Sequence, residues 1–345
     1  MFKKLLSIRI SLLYLIAPLV IGLVLFVVLK NHTFFPGQNS ATGSTAKISA
    51  EGTTIDCGEK TFRLKGFKYI KPLVNESREC ESVRYAALKE SIKNYIDAET
   101  KTGAISCASV FLKNLGKGED WISVYPRLEY HPASLGKVPI LITYLKKSES
   151  VPGLLDKEIF YVKDSKKVPS QNFAFDSLRS GHKYKVRELL YHMIANSDNR
   201  ATLLLQDNID FASFRTTITD LGFDENKLID TNYKFKAREY SIFLEALYNA
   251  GYLNMPSSEY ASSLLAQCKF REGVLKNLPA DVKAIHKFGE YAADKDRELH
   301  ESAIIYIDNN AYVITIMTKG HDFKKLSDLM GHISRMVYDY MNTSV

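Results

Sequence analysis

Strand-like runs sit near both ends of the patterned part of this chain, and helix-like segments fill the long interval between them. Residues 104–115 and 121–125 read as strands. The Gly116-Lys117-Gly118-Glu119-Asp120 string between them reads as a hairpin turn, because a phosphate-binding loop would need the P-loop pattern and a following helix. Residues 299–307 and 311–318 are strand-like again, joined by the turn Asp308-Asn309-Asn310. Helical periodicity marks 200–207, 211–221, 238–252 and 258–270 in the middle. It also marks 84–100, through Tyr85, Leu88, Ile92, Tyr95 and Ile96, and 323–341 at the far end. If the end strands share a sheet, the middle must loop out as its own lobe. The expected fold is therefore α/β of the α+β kind: an antiparallel sheet with terminal helices on one face and an inserted all-helical lobe. No internal repeat is visible.

Of 345 residues, 46% are hydrophobic and 25% charged, which is globular rather than disordered composition. The net charge of +7 includes Lys3, Lys4 and Arg9 ahead of an apolar segment, and no basic stripe remains to bind nucleic acid. Residues 10–29, ISLLYLIAPLVIGLVLFVVL, form an uncharged run long enough to span a bilayer. The run continues to Leu29 without a small-residue cleavage site, which favours an uncleaved anchor over a removed signal. The preceding positive charges place residues 1–9 in the cytoplasm and the body outside it. Residues 30–66 then read as a spacer, rich in Ser, Thr, Gly and Ala in their first part, and 67–345 as the folded domain.

The four cysteines are Cys57, Cys80, Cys107 and Cys268. Outside the cytoplasm Cys57 and Cys80 can close a disulfide loop. Cys107 and Cys268 lie in strand-like and helix-like runs and read as buried thiols. With no C-x-x-C or H-E-x-x-H pattern, neither a metal site nor a cofactor is expected.

Three S-x-x-K strings occur: Ser44/Lys47 in the spacer, Ser134/Lys137, and Ser180/Lys183 in a Gly-His loop. Only Ser134 opens a periodic apolar helix, with Leu135, Val138, Leu141, Ile142 and Leu145, and Pro139 falls where a missing N–H costs least. A three-residue helical step places a hydroxyl nucleophile and an amine on one face. Burial would lower the proton affinity of Lys137 and make it a base. The competing reading is a helix-capping serine beside a solvated lysine. Ser197-Asp198-Asn199 starts another apolar helix and would alone pass for an N-cap cluster. Lys287-Phe288-Gly289 follows Ala284-Ile285-His286, a plausible edge strand. Their order within one domain, 63 residues and then 90, joins them into a serine acyl-transfer set with a cation for an anionic substrate. His286 and His300 read as structural histidines.

This set resembles the penicillin-recognising serine hydrolases, and specifically the class A β-lactamase-like branch, whose motifs are a known example of the pattern. The likeness extends through Tyr130-His131-Pro132-Ala133 before Ser134, through 188–197, and through Ala284–Glu290, over about residues 68–345. It implies a five-stranded sheet, a Ser134 nucleophile, Lys137 as its proton acceptor and Ser197 as proton relay to the leaving nitrogen. It likewise implies Asn199 on the substrate amide and Lys287 on the substrate carboxylate, with Gly289 beside them in the third motif. The N–H groups of Ser134 and Glu290 would form the oxyanion hole, and Asp198 would brace its loop. Two departures stand out. Phe288 replaces the usual Thr or Ser, whose hydroxyl helps hold the carboxylate. No E-x-x-L-N loop supplies a deacylating glutamate, and the nearest string, Glu225-Asn226-Lys227-Leu228-Ile229, lacks its asparagine. The substrates implied are β-lactams, with D-Ala-type peptides as the alternative, or a silent module that only holds cell-wall peptide.

Overall fold

The computed structural model describes residues 60–63, 73–76, 81–116, 120–164, 167–224, 233–308 and 310–343. The apolar run 10–29, most of the spacer, the Cys57/Cys80 pair and Glu225 lie outside the described residues. Among the described residues, no helix is long and apolar enough to cross a membrane.

Strands β1 (Lys60–Arg63) and β2 (Leu73–Glu76) pair antiparallel. Helix α1 (Ala86–Lys101) leads into β3 (Cys107–Asn114) and β4 (Trp121–Val124). A 3-10 turn at Ala133–Gly136 runs directly into α2 (Lys137–Ser148). A small hairpin of β5 (Glu158–Tyr161) and β6 (His182–Lys185) precedes α3 (Val186–Ala195), α4 (Asn199–Asn208) and α5 (Phe211–Asp220). Then come α6 (Ala237–Tyr248) and α7 (Met255–Leu265). Strands β7 (Lys283–Ala293), β8 (Asp296–Ile307) and β9 (Asn310–Gly320) and helix α8 (Phe323–Thr343) finish the described chain.

The main sheet has five antiparallel strands in the order β4-β3-β9-β8-β7. The two ends of the domain meet where Cys107–Asn114 pairs with Tyr312–Lys319. Alternation along each strand sends side chains to two cores. Val110 and Leu112 of β3, with Tyr312, Ile314 and Ile316 of β9, pack against α1 and α8. Phe111, Val313 and Met317 face the other way, toward the helical lobe. Helix α8 buries Leu326, Leu329, Met330, Ile333, Val337 and Met341, a three- and four-residue stripe that fits one sheet face. On the opposite face α6 lies across β9, β3 and β8 and packs against α7.

The expected sheet, terminal helices and inserted lobe are all present. Three details differ. Helix 258–270 stops at Leu265, and the segment after it turns so that the Lys269 N–H donates to the Ala195 carbonyl. The edge strand anticipated at 284–286 runs on to Ala293 through residues that break apolar alternation. The mostly exposed β5–β6 hairpin carries too little burial to show in the pattern.

Candidate active site

The three strings converge. Ser134 lies in the 3-10 turn, Lys137 opens α2, and Ser197-Asp198 forms the joint between α3 and α4, with Asn199 as the first residue of α4. Lys287, Phe288, Gly289 and Glu290 lie in the edge strand β7. Ser134 is not a cap, since neither the 3-10 turn nor α2 uses a side-chain cap hydrogen bond. The other candidate strings fall elsewhere. Ser180 and Lys183 belong to the β5–β6 hairpin, and the Ser180 hydroxyl donates to the Val162 carbonyl.

Lys137 and Lys287 are both buried, at 3% and 0% exposure, and both reach the hydroxyl of Ser197. Lys137 Nζ lies 2.6 Å from the Ser197 carbonyl oxygen, 2.8 Å from Asn199 Oδ1 and 3.2 Å from Ser197 Oγ. Lys287 Nζ donates to Ser197 Oγ at 2.9 Å and to its neighbour's carbonyl at Phe288, also at 2.9 Å. Burial, reinforced by the positive charge of Lys287, holds the Lys137 ammonium well below the usual lysine range. A neutral amine has two N–H donors and one lone pair. In the neutral form of Lys137 the two short contacts would use both donors and leave the lone pair for a hydroxyl proton. Burial also brings Lys287 down to about 8, opposed by Cys268, Glu301 and Glu290, so it remains a cation at neutral pH.

Ser197 reaches this position through a left-handed backbone, φ +52°, a conformation costing a non-glycine residue about 1–2 kcal/mol. Its neighbours hold it there. Asp198 accepts from the Ser177 hydroxyl at 2.8 Å, the Leu178 N–H at 2.9 Å and the Arg200 N–H at 2.9 Å, capping α4. Gln171 Nε2 donates to the Ser197 carbonyl at 3.1 Å, and Asn199 Nδ2 to the Pro169 carbonyl at 3.2 Å. Asp198 is thus a brace.

Gly289 brings β7 hard against the turn that carries Ser134. A Cβ at this position would lie 2.8 Å from the Pro132 carbonyl oxygen, 3.0 Å from the Leu135 nitrogen and 3.1 Å from the Ser134 nitrogen. Only glycine permits that approach. The turn is fixed from other sides as well. Tyr240 donates its hydroxyl to the Leu135 carbonyl at 2.9 Å, and Tyr130 pairs its backbone with Phe235. The His131 N–H donates to Glu298 Oε2 at 2.9 Å, and Glu298 also meets His300 Nε2 at 3.2 Å. His300 Nδ1 accepts from the Thr318 N–H, so His300 is a structural link. The Glu290 carboxylate accepts from the Asn172 and Phe173 N–H groups at 2.9 and 3.0 Å. Burial raises its proton affinity against those bonds and the two lysines.

Phe288 is fully buried on the face opposite Ile285. Its ring stacks on Phe270 at 4.1 Å between centroids and meets Phe173 and Phe175 edge-on. Lys287 Nζ lies 4.2 Å from the centre of the same ring. The position that would offer a hydroxyl to a substrate carboxylate is therefore part of an aromatic packing unit.

The description "Beta-lactamase enzyme family" matches residues 87–341. The chain belongs to the β-lactamase enzyme family. Solved structures of the same fold include PBP-A, at 17% identity and TM-score 0.62, covering 75% of this chain and 97% of that one. A class A β-lactamase from Mycobacterium abscessus is 17% identical with TM-score 0.60, covering 73% and 99%. A β-lactamase from Sphaerobacter thermophilus is 17% identical with TM-score 0.62, covering 74% and 97%. No match was found among curated proteins. As a member of this family the protein is a serine hydrolase.

In this β-lactamase-family site, a hydroxyl lies between a buried amine of lowered proton affinity and a cation, beside a backbone turn pressed by an edge strand. That arrangement can accept, hold and return a proton. Several residues that shape it carry no sequence signal. Gln171, Phe173 and Phe175 come from a segment without period, and Glu298 and His300 look like ordinary strand residues.

Proposed function

We propose that the protein forms a covalent acyl-enzyme through Ser134 and acts on β-lactams. Lys137 takes the Ser134 proton, Ser197 passes a proton to the leaving nitrogen, and Asn199 contacts the substrate amide. Lys287 attracts the substrate carboxylate, while the N–H groups of Ser134 and Glu290 stabilise the oxyanion. The observation that carries this reading is the shared Ser197 hydroxyl, reached by both buried lysines. A silent binding module would have no need for a buried amine of lowered proton affinity there.

A second reading, a penicillin-binding or D-Ala peptidase type with slow deacylation, is favoured by the carboxylates near the site. Asp198 is committed to three donors and Glu290 to two, so among the described residues neither is placed to activate water. One solved structure of the same fold is a PBP-A variant as an acyl-enzyme complex with penicillin G. We further propose that residues 10–29 anchor the chain in a membrane, with residues 1–9 cytoplasmic, 30–66 as spacer and 67–345 as the extracytoplasmic hydrolase domain. Alkaline carbonate extraction of membranes tests this, since release of the full chain would exclude the anchor.

The deciding experiment incubates the detergent-solubilised full chain with a fluorescent penicillin and a chromogenic cephalosporin, beside Ser134→Ala. Rapid colour change supports a lactamase, and stable labelling without turnover supports the second reading. Equal labelling of wild type and Ser134→Ala, or no labelling at high ligand, overturns both.

A further inference from the structure

The serine chemistry uses no thiol, yet a cysteine, a histidine and a glutamate meet in the same core as Phe288. Cys268 lies just past α7, where the chain turns along the edge of β7, and is 7% exposed. His286 of β7 and Glu301 of β8 are 2% and 0% exposed. His286 pairs with Ala303 and Glu301 with Phe288, so both side chains share one sheet face. His286 Nδ1 lies 2.6 Å from Glu301 Oε1, and His286 and Cys268 face the same cavity. Glu301 is itself fixed: its Oε2 accepts the Val274 N–H at 2.6 Å, beneath Gly273, where a Cβ would lie 2.1 Å from that oxygen.

Nucleophile, base and a carboxylate that orients the base are thus in sequence, the general arrangement of an activated side chain. Cys268 and His286 also line a cavity of about 430 Å³, with Arg271, Leu275, Lys283 and Tyr306 around it. Burial works against ionising the thiol, but His286 and then Lys287 outweigh it and hold Cys268 below the usual thiol range. Cys107 differs: burial raises its thiol, and its hydrogen-bond partner is the Tyr130 hydroxyl.

We propose that Cys268 is a peroxide-reactive site, with His286 as its proton donor and Glu301 as the group that orients His286. Hydrogen peroxide is small and uncharged enough to enter the cavity and reach a sulfur with little exposure. The Cys268 thiolate attacks one peroxide oxygen; the S–O bond forms as the O–O bond breaks, and the electron pair leaves on hydroxide. The His286 imidazolium protonates that hydroxide to water. Cys268 is oxidised to the sulfenic acid and the peroxide is reduced to water. The thiolate charge, one of the groups that keep Lys287 protonated, is then gone.

The full chain is exposed to hydrogen peroxide with dimedone as the sulfenic-acid trap, and each cysteine is read by peptide-resolved mass spectrometry. In mildly acidic buffer, Cys268 should form its adduct at least about tenfold faster than Cys107. Its rate should change less than about twofold toward mild alkalinity, whereas Cys107 should climb steeply with pH as an ordinary thiol does. His286→Gln and Glu301→Gln should each slow the Cys268 adduct about tenfold or more. If either variant fails to fold, the wild-type pH profile decides. A Cys268 rate that parallels Cys107, or no Cys268 adduct, overturns the proposal.

Discussion

Lys137 and Lys287 both reach one atom, the hydroxyl oxygen of Ser197, at 3.2 and 2.9 Å. Two ammonium groups this close in a dry site repel, and the repulsion falls chiefly on Lys137, which burial already disfavours as a cation. Lys287 keeps its charge at neutral pH with help from Cys268, Glu301 and Glu290. The two lysines, alike in type, are thereby assigned opposite roles by their surroundings.

That division predicts the pH profile of acyl-enzyme formation. Lys137 is active when neutral, so the rate should fall as acid protonates it, below the ordinary lysine range. Lys287 is active when charged, so an alkaline limb should appear as the pH rises through about 8. Labelling by fluorescent penicillin across pH should show both limbs, and Lys287→Gln should remove the alkaline one. An alkaline limb that persists in Lys287→Gln would show that another group titrates there.

Lys137→Ala should lower the rate of penicillin labelling by about 10²–10⁴, the usual worth of a positioned base. Labelling at the wild-type rate would exclude Lys137 as the base.

Gly289→Ala should separate packing from chemistry. Three backbone atoms around Ser134 stand where its Cβ would go, so β7 must retreat from the turn. Displacement on the order of an ångström at a reacting centre costs about 10²-fold in rate. Gly136→Ala is the control, since its Cβ meets nothing within 4 Å. Equal labelling rates in the two variants would dismiss the close approach as unimportant.

Phe288→Ala should cost about 3–5 kcal/mol in denaturant unfolding, as for other buried aromatic truncations. The ring is enclosed by Phe270, Phe173 and Phe175, and none of them can move in without opening the second core. A loss under about 1 kcal/mol would mean that the aromatic unit is not cooperative.

Much of this architecture was legible in the sequence for identifiable reasons. Helix α8 buries one stripe, and β3 and β9, buried on both faces, read as near-continuous apolar runs, so each shows directly. Ser134, Lys137, Ser197 and Lys287 stood out because their residue types occur in a recognisable order. The strand character of β7 beyond His286 did not stand out, because Gly289 and Glu290 break the alternation of a packed strand. The support from Gln171 and from Glu298 with His300 was hidden because long-range hydrogen bonds leave no local pattern. Phe288 looked like a defect in a motif, and only its ring neighbours show that it completes a core.

The pairing of Cys107–Asn114 with Tyr312–Lys319 has a consequence for synthesis. The central strand of the sheet is the last of its five strands to leave the ribosome, and β7 reaches the rest of the sheet only through β8 and β9. Until that strand is delivered, Lys287 has no framework to bring it to Ser197, and Gly289 has nothing to press against Ser134. A chain that has not yet made β9 therefore carries Ser134 without its partners, and the site is completed in one step with closure of the sheet.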